Sequence, residues 1–419
     1  MKTKKEKRRL SRALALTLLC WFVYATSYIG KLSYSANIPS VILTFGVTKA
    51  DAGLVSTFFF FAYGIGQVVN GILCKHYPLK YVIAASLVVG GSMNLLLAVV
   101  PAFSAFKIFW LINGAAMSFL WTGLIRLLSE TLDKRDIGRA VLLMGTTVAT
   151  GTFLVYAMSS LLTALGIFRL TFYIAAGLLA VAAVVWFLLY DHLVRPLRAE
   201  REAERTAPEA ASTAEARPKE KKWDRSLYLL FAVLALFAVI NNFVKDGLTT
   251  WTPKILSDLY ATPEWLSILL TLLLAAMAVC GAMVAMRTQR LTRDFVVTCT
   301  IFYLSSALLI GAVILLLSTP LIPVTVGAFA IVSCLMAGVN NVITSMMPLH
   351  LKDRVNSGRM AGLLNGFCYL GSTVTSYGLG AIADGSGWLS VFYVLLGAAT
   401  LAGLVGLLYR FLVRNRIGD

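Results

Sequence analysis

Runs of about twenty mostly apolar residues, each long enough to cross the hydrocarbon core of a bilayer, recur twelve times along the chain. They fall near 13–45, 52–74, 79–100, 104–129, 139–164 and 168–190, and after a polar stretch at 191–225 again near 226–257, 264–286, 294–317, 320–350, 357–383 and 387–413. Of 419 residues, 58% are hydrophobic and only 14% are charged, where a soluble domain carries roughly a quarter charged residues. The sequence therefore predicts an all-α integral membrane protein of twelve transmembrane helices. The N-terminal KTKKEKRRLSR before the first run resembles a signal peptide. No small-residue cleavage site stands out near 30–40 and eleven further runs follow, so it is read as the start of the first span.

A net charge of +17 would suggest nucleic acid in a soluble protein. Here its distribution points to the bilayer instead. Thirty of the 37 Lys and Arg lie in the terminal segments, the central stretch and the turns that follow even-numbered spans, while only Lys49, Lys107, Arg169 and Lys254 lie on the opposite side. Positive loops stay cytoplasmic, which predicts a multi-pass protein of the cell inner (plasma) membrane with both termini and the central loop inside. The stretch 192–225 mixes nine basic with seven acidic residues and reads as a solvated linker with a helical piece. Six scattered cysteines have no paired spacing, and His76, His192 and His350 form no cluster, so neither disulfides nor a metal site are expected, and no cofactor.

An internal repeat divides the chain into an N-terminal half (1–191), the linker (192–225) and a C-terminal half (226–419). Lys31 precedes Pro39, and Lys245 precedes Pro253, by the same eight residues; the common offset of 214 also carries Thr48 onto Thr262. The spacing from Glu130 to Gly138-Arg139 returns from His350 to Gly358-Arg359. Two six-helix halves related by a parallel repeat place a binding site at the bilayer midplane, between the halves.

Three basic residues remain inside spans: Lys31, Arg126 and Lys245. An ionised group there costs at least about 2.5–3.5 kcal/mol unless it faces a partner or a water-filled cavity. Lys31 and Lys245 occupy equivalent depths in the two halves, so the repeat turns them towards each other as a cationic clamp for an anionic group. Asp246 is the acid in mid-span, and neighbouring helical positions point about 100° apart, which argues against its simply neutralising Lys245. It is either a proton carrier or a structural partner. Tyr24, Tyr28 and Lys31 share one helical face, which Tyr34 and Asn37 continue. With Gln67, Asn241, Asn242 and Tyr369 they form the candidate polar lining, against the alternative that such residues merely pack. Arg126 and Glu130 have the spacing of a helix-face ion pair with a structural or gating role.

With Lys31 to Pro39, Tyr63-Gly64, WTGLIRLLSE, FVKDGLTTWTP and GFCYLGSTVTSYGLGAIADGSGW (366–388) in view, the chain resembles the organophosphate:phosphate antiporters of the major facilitator superfamily. That resemblance implies the major facilitator fold and a phosphate-binding role for the basic residues of the first and seventh spans, here Lys31 and Lys245 in place of arginines. It also implies alternating access, in which a small organic anion exchanges for phosphate. Val148 stands where the family has a histidine in the fifth span, and Gln67 where it has a lysine. The expected function is a secondary transporter of a phosphate ester or related anion, coupled to phosphate or protons. Proton-coupled symport of a carboxylate, sulfonate or phosphonate is one alternative, and a transporter-like membrane sensor another. No phosphate-binding G-x-x-x-x-G-K-[ST] loop occurs and no span holds an acid–base constellation, so an ATP-driven pump and an enzyme are not expected. Twelve spans complete a pathway in one chain, so the partners expected are the small anion, the coupling ion and lipid around a monomer.

Overall fold

The computed structural model describes residues 4–73, 77–205, 225–317, 319, 321–351, 354–355 and 357–417. The first half contains α1 (Lys4–Ala36), α2 (Ile38–Phe45), α3 (Lys49–Leu73), α4 (Leu79–Val99), α5 (Phe106–Thr131), α6 (Lys134–Met144), α7 (Thr147–Ala164) and α8 (Leu170–Arg205). The second contains α9 (Arg225–Tyr260), α10 (Glu264–Thr292), α11 (Phe295–Leu316), α12 (Ile322–Asn341), α13 (Met347–His350) and α14 (Ser357–Ile417).

Eleven helical stretches among the described residues are long and apolar enough to cross a membrane. One of them, α14, has 61 residues, about 90 Å at 1.5 Å per residue, far more than the ~30 Å hydrocarbon core requires. It breaks at Gly387, whose φ of 77° and ψ of 175° interrupt the helix, and its two arms are the eleventh and twelfth expected spans.

Three other spans are interrupted, each where the sequence weakens the hydrogen-bond ladder. Asn37 separates α1 from α2, with Pro39 in the first turn of the new helix. Proline lacks an N–H to donate, so it suits a helix start and disrupts a helix interior. Gly145 and Thr146 separate α6 from α7. The tenth span passes through a π-helical turn, Val342–Met346, just before Pro348. Its symmetry mate to Pro39 behaves differently, since Pro253 lies inside an unbroken α9. The sixth span, α8, also continues to Arg205, so the polar stretch that the sequence assigns from 192 begins as helix, and its last residue, Arg225, opens α9; residues 206–224 between them lie outside the described residues, as do Cys74, Lys75 and His76.

The two halves meet along two seams. Helix α3 runs beside the first arm of α14, and α7 lies against α10. These pairs are the second span with the eleventh and the fifth with the eighth, so the repeat's pseudo-twofold exchanges one seam for the other. Close backbone approach sets the first seam: a Cβ on Gly53 would collide with the Ser376 carbonyl, and one on Gly64 would stand 2.8 Å from the Cβ of Tyr369. In the second seam Ser160 Oγ donates to the Trp265 carbonyl at 2.7 Å.

At the Lys49 end of the bundle a belt of charges ties the halves together. Lys49 Nζ lies 3.5 Å from Asp384 and 3.6 Å from Asp258, and the Ala50 amide donates to Asp384 at 2.8 Å. Asp258 also holds Lys254 at 2.8 Å and the Trp388 indole N–H at 3.0 Å, while Ser40 donates to Glu264 at 2.8 Å.

Candidate functional site

The site is built by α1 and α3 of the first half with α9 and α14 of the second. Lys31, near the end of α1, is 5% exposed. Its Nζ lies 4.7 Å from the ring centroids of Tyr24, Tyr28 and Tyr63 and donates to the Tyr63 hydroxyl at 3.3 Å. Tyr24 and Tyr28 come from the preceding turns of the same helix, at spacings that put all three groups on one face. The third ring comes from α3. No carboxylate lies within ion-pairing distance of Lys31 among the described residues. Each cation–π contact contributes about 0.5–2 kcal/mol, so three together are comparable with the ~2.5–3.5 kcal/mol cost of a charged lysine in a span. The cage therefore holds an ammonium without supplying a counter-charge.

Lys245 has a different environment. Its Nζ pairs with Asp246 Oδ1 at 3.2 Å, the side chains being 25% and 16% exposed. This corrects the expectation that adjacent helical positions diverge too far to meet: the four-carbon lysine stem is flexible enough to swing its head across the 100° step. Asp246 also accepts a short hydrogen bond from Ser372 of α14. Asn242 donates to Ser372 at 3.0 Å, and Asn241 donates to Asn242 at 3.1 Å. The second lysine thus ends a polar chain of five residues, with its charge matched.

Tyrosines connect the two lysines. The rings of Tyr63 and Tyr369 are 4.7 Å apart across the α3–α14 seam, and Tyr63 lies within electrostatic reach of Tyr24, Tyr369 and Gln67. Tyr28 lies within electrostatic reach of both lysines. Gln67, one turn after Tyr63, donates to the Ser118 carbonyl at 3.0 Å and accepts from Asn365 at 3.4 Å, so it too bridges the halves.

The structure thus gathers Lys31, Lys245, Tyr28, Gln67, Asn241, Asn242, Asp246 and Tyr369 into one region. Tyr34 is not among them. Its ring packs on Trp110 and its hydroxyl donates to the Ala52 carbonyl at 3.0 Å, because it points into the first half and away from the second. Asn37 likewise donates to Ser33 and Ser159 inside that half. Arg126 and Glu130 form the expected i,i+4 pair, and Glu130 also holds Arg198 of α8 at 3.1 Å. They line a cleft of about 310 Å³ with Lys80, Asp191 and Arg195, remote from the lysines. Two contributors escaped the sequence reading as site residues, Tyr63 and Ser372. Tyr63 carries a usable signal, since it stands one turn before Gln67 on the same face of α3; Ser372 carries none. Among the described residues no group of His, Cys, Asp and Glu could hold a metal ion.

Fold and site together define a multi-pass α-helical membrane protein of two symmetric halves with a polar, lysine-bearing region between them. The chain belongs to the Major Facilitator Superfamily, whose sequence profile matches residues 20–375. It is 27% identical over 99 residues to the membrane sensor protein UhpC of Escherichia coli, covering 24% of this chain and 23% of that one. To a probable hexose phosphate transport protein of Chlamydia muridarum it is 27% identical over 118 residues, covering 28% and 26%. The chain thus matches about a quarter of the length of these curated relatives. Among solved structures, a bacterial homologue of the human lysosomal transporter Spinster, inward-facing and occupied, superposes with a TM-score of 0.69 at 14% identity, covering 98% of each chain, a likeness of fold.

Proposed function

We propose that this chain is a secondary transporter that moves a small organic anion by alternating access, in exchange for phosphate, with Lys31 and Lys245 as the anion-binding cations. The observation that carries the reading is Lys31: a buried ammonium, caged by three tyrosines at the seam between the halves and, among the described residues, without a carboxylate of its own. Such a charge in a span is kept where a ligand completes it. The local likeness to hexose phosphate transport proteins supports a phosphoryl group on the anion. In this reading the halves comprise 1–191 and 226–419 around a 192–225 linker, Tyr28, Gln67, Asn241, Asn242 and Tyr369 line the path, and Arg126 and Glu130 act in gating. The positive ends and the linker face the cytoplasm of an inner membrane.

The test is labelled-phosphate exchange in phosphate-loaded liposomes carrying the purified chain. Exchange inhibited by small phosphate esters is the expected result. Two observations favour specific alternatives. Asp246 beside Lys245 suits proton-coupled symport of a carboxylate or sulfonate, which folded protein without phosphate exchange would indicate. The likeness to UhpC suits a sensor, which binding without flux would indicate.

A further inference from the structure

We infer that Asp246 is a built-in counter-anion that sets the charge of the ligand, restricting the site between Lys31 and Lys245 to anions carrying a single negative charge. The inference rests on the anion-transport reading and narrows its substrate class. It follows from a count of fixed charges. The two lysines contribute two positive charges, and the Asp246 carboxylate, 3.2 Å from Lys245, removes one. Ser372 holds that carboxylate in place from α14, and Asn242 in turn holds Ser372. The remaining charge is on Lys31, whose surroundings are aromatic rings and hydroxyl groups.

A ligand with one negative charge therefore leaves the site neutral. A second negative charge meets no further free cation among the described residues, and its repulsion from Asp246, whose side chain is only 16% exposed, is partly screened at most. A doubly ionised phosphate ester fits only after taking up a proton, whereas a sulfonate, a carboxylate or a singly ionised phosphate ester fits as it is. The ionisable groups around the pair contain no second carboxylate among the described residues. Tyr156 of α7 and Cys368 and Tyr369 of α14 lie within electrostatic reach of Asp246, and Tyr28 of α1 within reach of Lys245. The rule thus belongs to one residue, and it separates this site from one in which both lysines are free to grip a dianion.

The experiment compares two probes with the same body, benzenesulfonate and phenyl phosphate, binding to the purified full-length chain in nanodiscs of neutral lipid. Affinities are measured at about pH 5 and about pH 8, on either side of the second ionisation of a phosphate monoester at about 6. The expected result is that phenyl phosphate weakens by about tenfold or more at the higher pH, because its singly charged form becomes scarce, while benzenesulfonate, singly charged throughout, is unchanged. In Asp246→Asn, phenyl phosphate should bind at the higher pH at least as tightly as at the lower. Equal affinity of phenyl phosphate at both pH values in the parent overturns the inference, as does parallel weakening of both probes or an Asp246→Asn protein that keeps the parent's preference. The parent comparison decides alone if the variant does not fold. Binding of neither probe, with phosphate exchange also absent, overturns the transport reading and this inference with it; binding without charge preference overturns this inference alone.

Discussion

Tyr156 of α7 donates its hydroxyl to the Thr249 carbonyl of α9 at 3.3 Å, and that carbonyl is the one Pro253 leaves without an intrahelical donor. Proline at position i cannot bond the carbonyl at i−4. In a bilayer an unpaired carbonyl has no water to turn to, so α9 passes through its proline intact only with a donor from the other half of the molecule. The bond joins the halves and completes a helix at once. Tyr156→Phe should destabilise the protein by about 1–3 kcal/mol, the cost of a buried group left unpaired. A fall in melting temperature followed by tryptophan fluorescence checks it, and an unchanged melting temperature would mean that Thr249 finds another donor.

Removing Lys49 should open the Lys49 end of the bundle. Its single ammonium lies within 3.6 Å of Asp258 and Asp384, which belong to the other half. Lys49→Gln leaves Asp258 with Lys254 but strips Asp384 of its ion pair. Ser56, buried next to this seam, reports the change. In a background with Cys74 and Cys280 replaced by Ser, Ser56→Cys should react at least about threefold faster with a membrane-impermeant thiol reagent when Lys49→Gln is added, which corresponds to only about 0.7 kcal/mol and lies within the range of a partly exposed ion pair.

The two lysines should respond differently to substitution. Lys31→Gln removes the charge that has no carboxylate partner among the described residues, and anion binding should fall by about a hundredfold, in line with the 1.5–3 kcal/mol typical of a charged hydrogen bond. Lys245→Gln exposes the Asp246 carboxylate to the ligand and should cost about tenfold or more. Adding Asp246→Asn to Lys245→Gln should recover a large part of that loss, because the second change removes the uncompensated charge. Equilibrium binding of inorganic phosphate to the parent, Lys245→Gln, Asp246→Asn and the double variant measures the coupling, and the same assay reads Lys31→Gln.

The cage around Lys31 should depend on rings more than on hydroxyls. Tyr63→Phe keeps the aromatic face and loses the 3.3 Å hydrogen bond; Tyr63→Leu loses both. Phosphate affinity should change by less than about threefold in the first and by about tenfold in the second, given the ~0.5–2 kcal/mol of a cation–π contact. Equal effects would assign the role to the hydroxyl.

Much of this architecture is present in the one-dimensional pattern, because a helix in lipid must satisfy its own backbone over a fixed thickness. Hydropathy therefore places the spans, and the 214-residue offset pairs Lys31 with Lys245. Contacts between helices distant in sequence are not written in either periodicity. Tyr63 shows itself in the sequence only as a neighbour of Gln67 on one face of α3, not as a ring of the Lys31 cage, and nothing around Ser372 announces that it would hold Asp246. Tyr34 misleads for a related reason: α1 is surrounded by protein, so a polar stripe on it can face another helix of its own half as readily as the seam. Backbone directions alone place the heads of Lys245 and Asp246 apart, whereas side-chain reach decides and brings them to 3.2 Å.

The unmatched ammonium of Lys31 also makes the empty and loaded proteins electrically different objects. A carrier holding a singly charged anion reorients with a neutral centre, so the membrane potential exerts no net force on that step. The same carrier without cargo reorients with a positive centre, and the potential acts on it with up to about 2.3 kcal/mol per 100 mV for a charge crossing the whole field. On the proposed transport reading, voltage should therefore leave one-for-one exchange untouched and alter the rate of net movement, so that this one caged residue would divide the cycle into a limb blind to the cell's electrical state and a limb governed by it.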